Sequence, residues 1–234
     1  MELLLNKIKK AFEGLSFKED THKYFLKNEP LKGSVSNLIH NFIEPVDFDA
    51  IAPYSAIKAG VTTEEIKRQW KEKNDESKVR GHRVHSFGEN YQFNRTLTPS
   101  CPQEVAITKF WEDLPEYIIP IAAEFRMYHF KNKFGGTSDI ILYDTLNNGY
   151  IIADYKTNED LYKNYKEKTL LAPFTNFLDC PLNHYQIQLS YYQLMLEQAS
   201  IKVVNRVIIW LKLDGTYEMI FTEDLTSKLK PLLN

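Results

Sequence analysis

Residues 135–157 read GGTSDIILYDTLNNGYIIADYKT, and this stretch decides the fold. Two apolar runs, DIILY and GYIIAD, flank a segment rich in Asp, Asn and Gly, the pattern of a β-hairpin. Side chains of a strand alternate between faces, so Asp154 and Lys156 share one face while Tyr155 takes the other. A two-residue Asn148-Gly149 turn would set Asp154 opposite Tyr143. A longer loop from Asp144 to Gly149 pairs Tyr143 with Tyr150 and brings Asp139 opposite Asp154, with Cβ atoms about 4.5–5.5 Å apart. The longer loop is the register expected here, because it lets two carboxylates share one divalent ion.

Working outward, residues 118–130 (IIPIAAEFRMYHF), 204–213 (VNRVIIWLKL) and 216–221 (TYEMIF) add strands rich in β-branched and aromatic residues. Residues 184–199 (HYQIQLSYYQLMLEQA) lie between the third and fourth strands and have helical spacing, as do residues 103–114 and a closing helix over 223–233. Connections between the first three strands are too short for crossovers, so these strands are antiparallel; the fourth follows a helix and can run parallel to one of them. The expectation is an α/β fold: a mixed central sheet of about five strands flanked by helices. Residues 1–100 form a mainly helical part and residues 101–234 the α/β core, in one domain. Within the first part, residues 15–27 suggest a hairpin and Ser34 or Ser36 a helix cap. Thr62-Thr63-Glu64-Glu65 opens a long polar helix, which itself or through a second helix after Gly81 carries Arg80-Gly81-His82-Arg83-Val84-His85. Residues 157–182, polar and then rich in Pro and Phe, suggest a mobile loop.

Composition sets limits. The chain has 234 residues, 43% hydrophobic and 26% charged, enough for one sizeable soluble core. Its formal charge of −2 offers no global basic field, so any nucleic-acid contact must come from local clusters. The two cysteines, Cys101 and Cys180, are too few for a structural zinc or an iron–sulfur cluster and favour a reducing compartment. No segment is long and apolar enough to cross a bilayer, and the amphipathic start lacks a cleavage site, so the expectation is a cytoplasmic protein of a bacterial or phage-infected cell.

The chemistry lies in the carboxylates. Phosphodiester hydrolysis needs a cation to neutralise charge and activate water, and Mg²⁺, with Mn²⁺ as the alternative, binds through one or two carboxylates. Asp139 and Asp154 are the expected ligands, the backbone carbonyl of Tyr155 a third, and Glu124 a further candidate against a plain strand-edge salt bridge. Lys156 then orients water or stabilises developing negative charge. Glu65-Ile66-Lys67 and Glu76-Ser77-Lys78 show the same acidic-x-Lys spacing on helix faces, so spacing alone is weak; placement at a strand end beside Asp139 gives it weight. Arg80, Arg83 and Thr157 are candidate DNA contacts. The clusters around Lys67 to Lys78 and Lys163 to Lys168 are further candidates, although interleaved Glu residues favour a solvated helix face, and Tyr162 and Tyr165 suit stacking on bases and packing against the domain equally well.

Taken together, Gly81-His82-Arg83-Val84-His85, Asp139, Asp154-Tyr155-Lys156 and Gln188-Leu189-Ser190-Tyr191-Tyr192 span about half the chain in a recognisable order. They resemble the PD-(D/E)XK nuclease superfamily, in its RecB-like branch, which includes mitochondrial genome maintenance and phage exonucleases. The resemblance implies a restriction-endonuclease-like core, a metal-dependent DNA exonuclease acting on a free end, His85 as a metal ligand, and Gln188 and Tyr192 bracing the site or touching the DNA backbone. RecB-like nucleases with four cysteines around an iron–sulfur cluster are poor guides, because this chain has two. A structure-specific or single-strand endonuclease, and a non-catalytic nucleic-acid-binding module on the same fold, are the alternatives.

Overall fold

The computed structural model describes residues 1–233. Its elements run α1 (Glu2–Ala11), β1 (Leu15–Lys18), β2 (Lys23–Leu26), β3 (Glu29–Pro30), β4 (Gly33–Ser34), α2 (Val35–His40), α3 (Phe48–Ala59), α4 (Thr63–Phe93), α5 (Pro102–Glu112), β5 (Ile118–Tyr128), β6 (Phe134–Asp144), β7 (Gly149–Lys156), α6 (Pro181–Glu197), β8 (Val203–Leu211), β9 (Tyr217–Phe221) and α7 (Thr226–Leu229), with a final 3₁₀ turn over Lys230–Leu233. The architecture is α/β with a mixed sheet. β5 and β6 are antiparallel, β6 and β7 antiparallel, β7 and β8 parallel, and β8 and β9 antiparallel.

The central hairpin keeps the longer register: Tyr143 faces Tyr150 and Ile140 faces Ala153. The ladder itself extends to Asp144↔Gly149, so the open turn is shorter than the sequence suggested. Asp144 closes it, accepting from the backbone N–H groups of Leu146 and Asn147 at 2.9 and 3.0 Å. An Asx-type bond of this kind is what a short carboxylate offers a tight turn.

Alternation along the inner strands sorts side chains into two cores. Ile141, Tyr150, Ile152 and Ile208 face α6, packing with Ile187, Tyr191, Leu194 and Met195. Ile140, Leu142, Ile151, Ala153, Tyr155, Val207 and Ile209 face the other way, against Val84 of α4 and Ala106, Ile107 and Phe110 of α5. Covered on both faces, β7 reads as a nearly continuous apolar run, as central strands do. Each fully buried Ile or Leu of this kind contributes about 1.5–3 kcal/mol. Among the described residues, no helix is long and apolar enough to cross a membrane.

Several expectations need correction. The sheet has six strands, because Gly33–Ser34 adds a short parallel pairing to Phe134–Gly135 of β6. β6 begins at Phe134, five residues before the apolar run, since Gly135 and Gly136 are strand residues rather than a turn. Arg80 to His85 lie within one unbroken 31-residue helix, capped by Thr62, and Ser34 rather than Ser36 caps α2. Helix α3 was not anticipated: its buried side is only Ala52 and Ala56, resting on Ile66, too small an apolar stripe to stand out in the sequence. The closing helix is a single turn followed by the 3₁₀ turn. Residues 157–182 are not a loose loop: Leu161, Leu170 and Phe174 are buried in the α6 core, and a bridge joins Thr169 to Leu178.

Candidate active site

Beyond Ile140↔Ala153 the β6 and β7 ladder stops, and two backbone amides would lose their partners. Carboxylates replace them reciprocally. The Asp139 amide donates to Asp154 Oδ1 at 3.1 Å, and the Tyr155 amide donates to Asp139 Oδ2 at 2.7 Å. Buried amides must find acceptors somewhere, and here strand separation and carboxylate placement solve each other. N–H and C=O of one strand residue point to the same neighbour, so the Tyr155 carbonyl is directed toward the Asp139 side as well.

Three elements converge on Asp139. From α4, His85 Nδ1 lies 3.1 Å from Asp139 Oδ2. Gly81, Val84, His85 and Gly88 form one helical stripe against the end of β7: a Cβ on Gly81 would sit 3.7 Å from Thr157 Oγ1, and one on Gly88 would overlap the Tyr155 ring. The glycines allow the close approach that delivers the imidazole. Tyr155 is itself fixed, its hydroxyl accepting from Trp111 Nε1 at 2.9 Å. Gly88→Ala should therefore lower the melting temperature: helix propensity favours Ala by about 1 kcal/mol, but overpacking costs about 1–3 kcal/mol. A Gly88→Ala protein melting above the wild type would show that the helix does not press on Tyr155.

From β5, Glu124 falls opposite Asp139, between the pairs Ala123↔Ile140 and Phe125↔Ser138. Its φ of 45° is left-handed, a conformation that costs a non-glycine residue about 1–3 kcal/mol and that clusters at functional sites. Ligand atoms of His85, Glu124 and Asp139 all lie within 4.8 Å of one another, so this half-buried cluster could hold a metal ion. Burial, and then the charge of Asp139, push the Glu124 carboxyl up to about 7. Burial disfavours charge on His85, yet the Asp139 carboxylate outweighs it and the imidazole pKa is raised.

Asp154 stands beside this cluster rather than in it. It is 2% exposed, and its Oδ2 accepts from Lys156 Nζ at 3.1 Å. Burial opposes the charge on Lys156, but Asp154 and Asp139 overcome it and hold the ammonium well above the usual lysine range. Lys156 Nζ lies 4.5 Å from the ring centroid of Tyr185, whose hydroxyl donates to Asn158 Oδ1 at 2.9 Å. The sequence reading passed over Tyr185: nothing marks it among the aromatic residues of α6 except its place three residues before Gln188.

Gln188 and Tyr192 do share the sheet-facing side of α6, bonded to each other at 3.0 Å from Gln188 Nε2 to Tyr192 Oη. They meet each other rather than Lys156. Tyr192 is 3% exposed and its ring lies where a Cβ on Gly136 would be, while Tyr24 covers Gly135 from the other side. These adjacent glycines thus admit one aromatic ring on each face of β6, and neither is a turn residue. Gln188 Oε1 is buried without a hydrogen-bond partner. Such an acceptor needs a donor from water or a bound group. Gln188→Ala should weaken Mn²⁺ binding about tenfold or more, as losses around a metal site do, while stability changes little. Equal Mn²⁺ affinity in the alanine variant would remove Gln188 from the site.

A groove of about 710 Å³ leads from the Lys156 end, lined in part by Lys78, Arg80, Thr157, Lys163, Tyr165 and Tyr185. Arg80 Nε is buried without a partner there. Of the other cations singled out, several are already paired: Arg83 with Glu104 at 3.4 Å, Arg68 with Glu65 and Glu72, Lys168 with Glu44, and Lys73 with Glu159. Arg83 is therefore a helix-to-helix tie, and His82 is exposed as a surface residue. No known family matches the chain, and no curated protein matches it either.

Proposed function

We propose that this protein is a metal-dependent deoxyribonuclease with a restriction-endonuclease-like core, acting as an exonuclease on DNA with a free end. The observation that carries the reading is the join between the splayed hairpin and the helix above it: Asp139 bridges His85 and the Tyr155 amide, with Glu124 alongside and the Asp154–Lys156 pair next to it. The donor set fits a divalent cation. Two carboxylates suit Mg²⁺ or Mn²⁺, and the imidazole nitrogen tilts the set toward Mn²⁺. When bound, the ion would neutralise phosphate charge and lower the pKa of an attacking water.

The remaining work falls to the chain. His85, Glu124 and Asp139 hold the ion, with the Tyr155 carbonyl on the same side. Asp154 fixes Asp139 through its backbone amide and fixes Lys156 through its ammonium. Lys156, whose ammonium form Asp154 and Asp139 favour, stabilises negative charge on the transferring phosphoryl group and orients the attacking water. Gln188, whose buried oxygen has no protein donor, holds Tyr192 and leaves that oxygen free to accept from a water. Arg80, Thr157 and Lys163 in the groove supply phosphate contacts whose affinity should fall with salt.

Digestion of end-labelled linear DNA and of closed circular DNA with Mg²⁺ or Mn²⁺ tests this. Mononucleotide release from linear DNA alone supports the exonuclease. Cutting of circles supports the endonuclease alternative. Metal-dependent binding with neither product leaves a binding module.

A further inference from the structure

We propose that Arg126, Thr137 and Tyr24 form an anion subsite that takes a backbone phosphate of the substrate strand, on the side of the metal cluster away from the Lys156 groove. The proposal rests on the nuclease reading above. Arg126 lies two residues beyond Glu124 on β5, about 6.8 Å along the strand, and is the register partner of Thr137 on β6. The Tyr24 hydroxyl and Thr137 Oγ1 are 2.9 Å apart. Thr137 lies two residues before Asp139 on β6 as Arg126 lies two residues after Glu124 on β5, so this pair sits one step along the two strands from the carboxylates.

Two donors without a protein acceptor lie together there. Among the described residues Arg126 makes no ion pair, whereas Arg68, Arg83 and Arg206 all pair with carboxylates and Arg95 lies over the Tyr91 and Trp111 rings. Its guanidinium is exposed and rests only on the Phe17 ring, 5.8 Å from the centroid. The hydroxyls of Tyr24 and Thr137 have one donor each and bond only to each other. Whichever donates, the other O–H is left without an acceptor. A guanidinium and a spare hydroxyl, both donors and neither with an acceptor, suit a phosphate oxygen. Tyr24 is 9% exposed and packed on Gly135, so the donor is held in place before any ligand arrives. With Arg80 and Lys163 on the opposite side, this subsite would let the chain grip the strand both before and after the scissile phosphate.

The test is binding of a short labelled DNA oligonucleotide with Ca²⁺ replacing the catalytic ion, across a salt series, for wild type, Arg126→Gln, Thr137→Val and Arg68→Gln. Arg126→Gln should weaken binding about tenfold and reduce the slope of log affinity against log salt by about 0.7–0.9. Thr137→Val should weaken binding several-fold with the slope kept, since it removes a donor and no charge. Arg68→Gln, whose guanidinium is already held by Glu65 and Glu72, should match wild type. Wild-type affinity and slope in Arg126→Gln, from a protein that binds and cuts DNA, overturn the subsite alone. A wild-type protein that neither binds nor cuts DNA overturns the nuclease reading and the subsite with it. Melting temperatures matching wild type exclude misfolding as the cause of any loss.

Discussion

Lys156→Met and Asp154→Asn should each abolish the proposed nuclease activity, and the two together should restore stability without restoring turnover. Asp154 is 2% exposed and the Lys156 side chain 11%, so each charge is desolvated and compensated chiefly by the other. Removing one partner of a buried pair leaves an uncompensated charge and costs about 3–5 kcal/mol, whereas replacing both can be neutral. Lys156→Met should therefore lower the melting temperature clearly, despite sitting at a strand end where no cavity opens. Activity should fall by about 10²–10³ or more, the scale for losing one preorganised transition-state contact. In the double variant the charge problem disappears and the melting temperature recovers, but the catalytic cation is still missing. Denaturant unfolding and single-turnover cleavage of the four proteins measure this directly. Additive stability losses, with no recovery in the double variant, would mean that the pair is not a desolvated unit.

The second large effect is on metal affinity, and it carries a pH signature. His85→Ala, Glu124→Gln and Asp139→Asn should each weaken Mn²⁺ binding by at least the 10–100-fold that loss of a supporting group costs. Metal ligands must be deprotonated to bind. With Glu124 titrating near 7 and His85 raised above its ordinary value, affinity should rise steeply from about pH 6 and flatten above the pKa of both groups. Glu124→Gln should make that rise shallower by one proton. The linkage to folding has a definite sign. A carboxyl whose pKa is raised from 4.5 to about 7 on folding contributes stability at low pH that is lost as pH rises through that range, so this group destabilises the metal-free protein at neutral pH. Saturating Mn²⁺ should recover it. Calorimetric titration between pH 6 and 8 checks the affinity; a pH-independent Mn²⁺ affinity would refute Glu124 as a ligand.

The parts of the site that sequence reasoning reached are those governed by local rules. Alternation set Asp154 and Lys156 on one face, and the register choice brought Asp139 to Asp154; both hold, with Ile140 facing Ala153 as the last ladder pair. Helical spacing put Gln188 and Tyr192 on one face of α6, where they bond. His85 Nδ1 lies 3.1 Å from Asp139 Oδ2, a placement that the resemblance and not a local rule had implied. What failed was judgement about partners. Arg83 looked like a phosphate contact but is tied to Glu104, about 70 Å away along a fully extended chain and adjacent only after α4 and α5 pack. Tyr185 carried no mark in the sequence, yet its ring lies beside the Lys156 ammonium.

By itself, then, the sequence determined the element order from α5 onward, the antiparallel hairpin and its register, and the carboxylate–lysine strand end, because period, turn chemistry and strand alternation act over a few residues. Tertiary structure alone decided that β6 and β7 part at Asp139, so that carboxylates accept the freed amides. It also decided that Glu124, in a left-handed conformation, joins His85 and Asp139 while Asp154 turns to Lys156. Those choices depend on which buried donor and acceptor lie near each other once α4, α6 and the sheet are packed, and no local pattern encodes that.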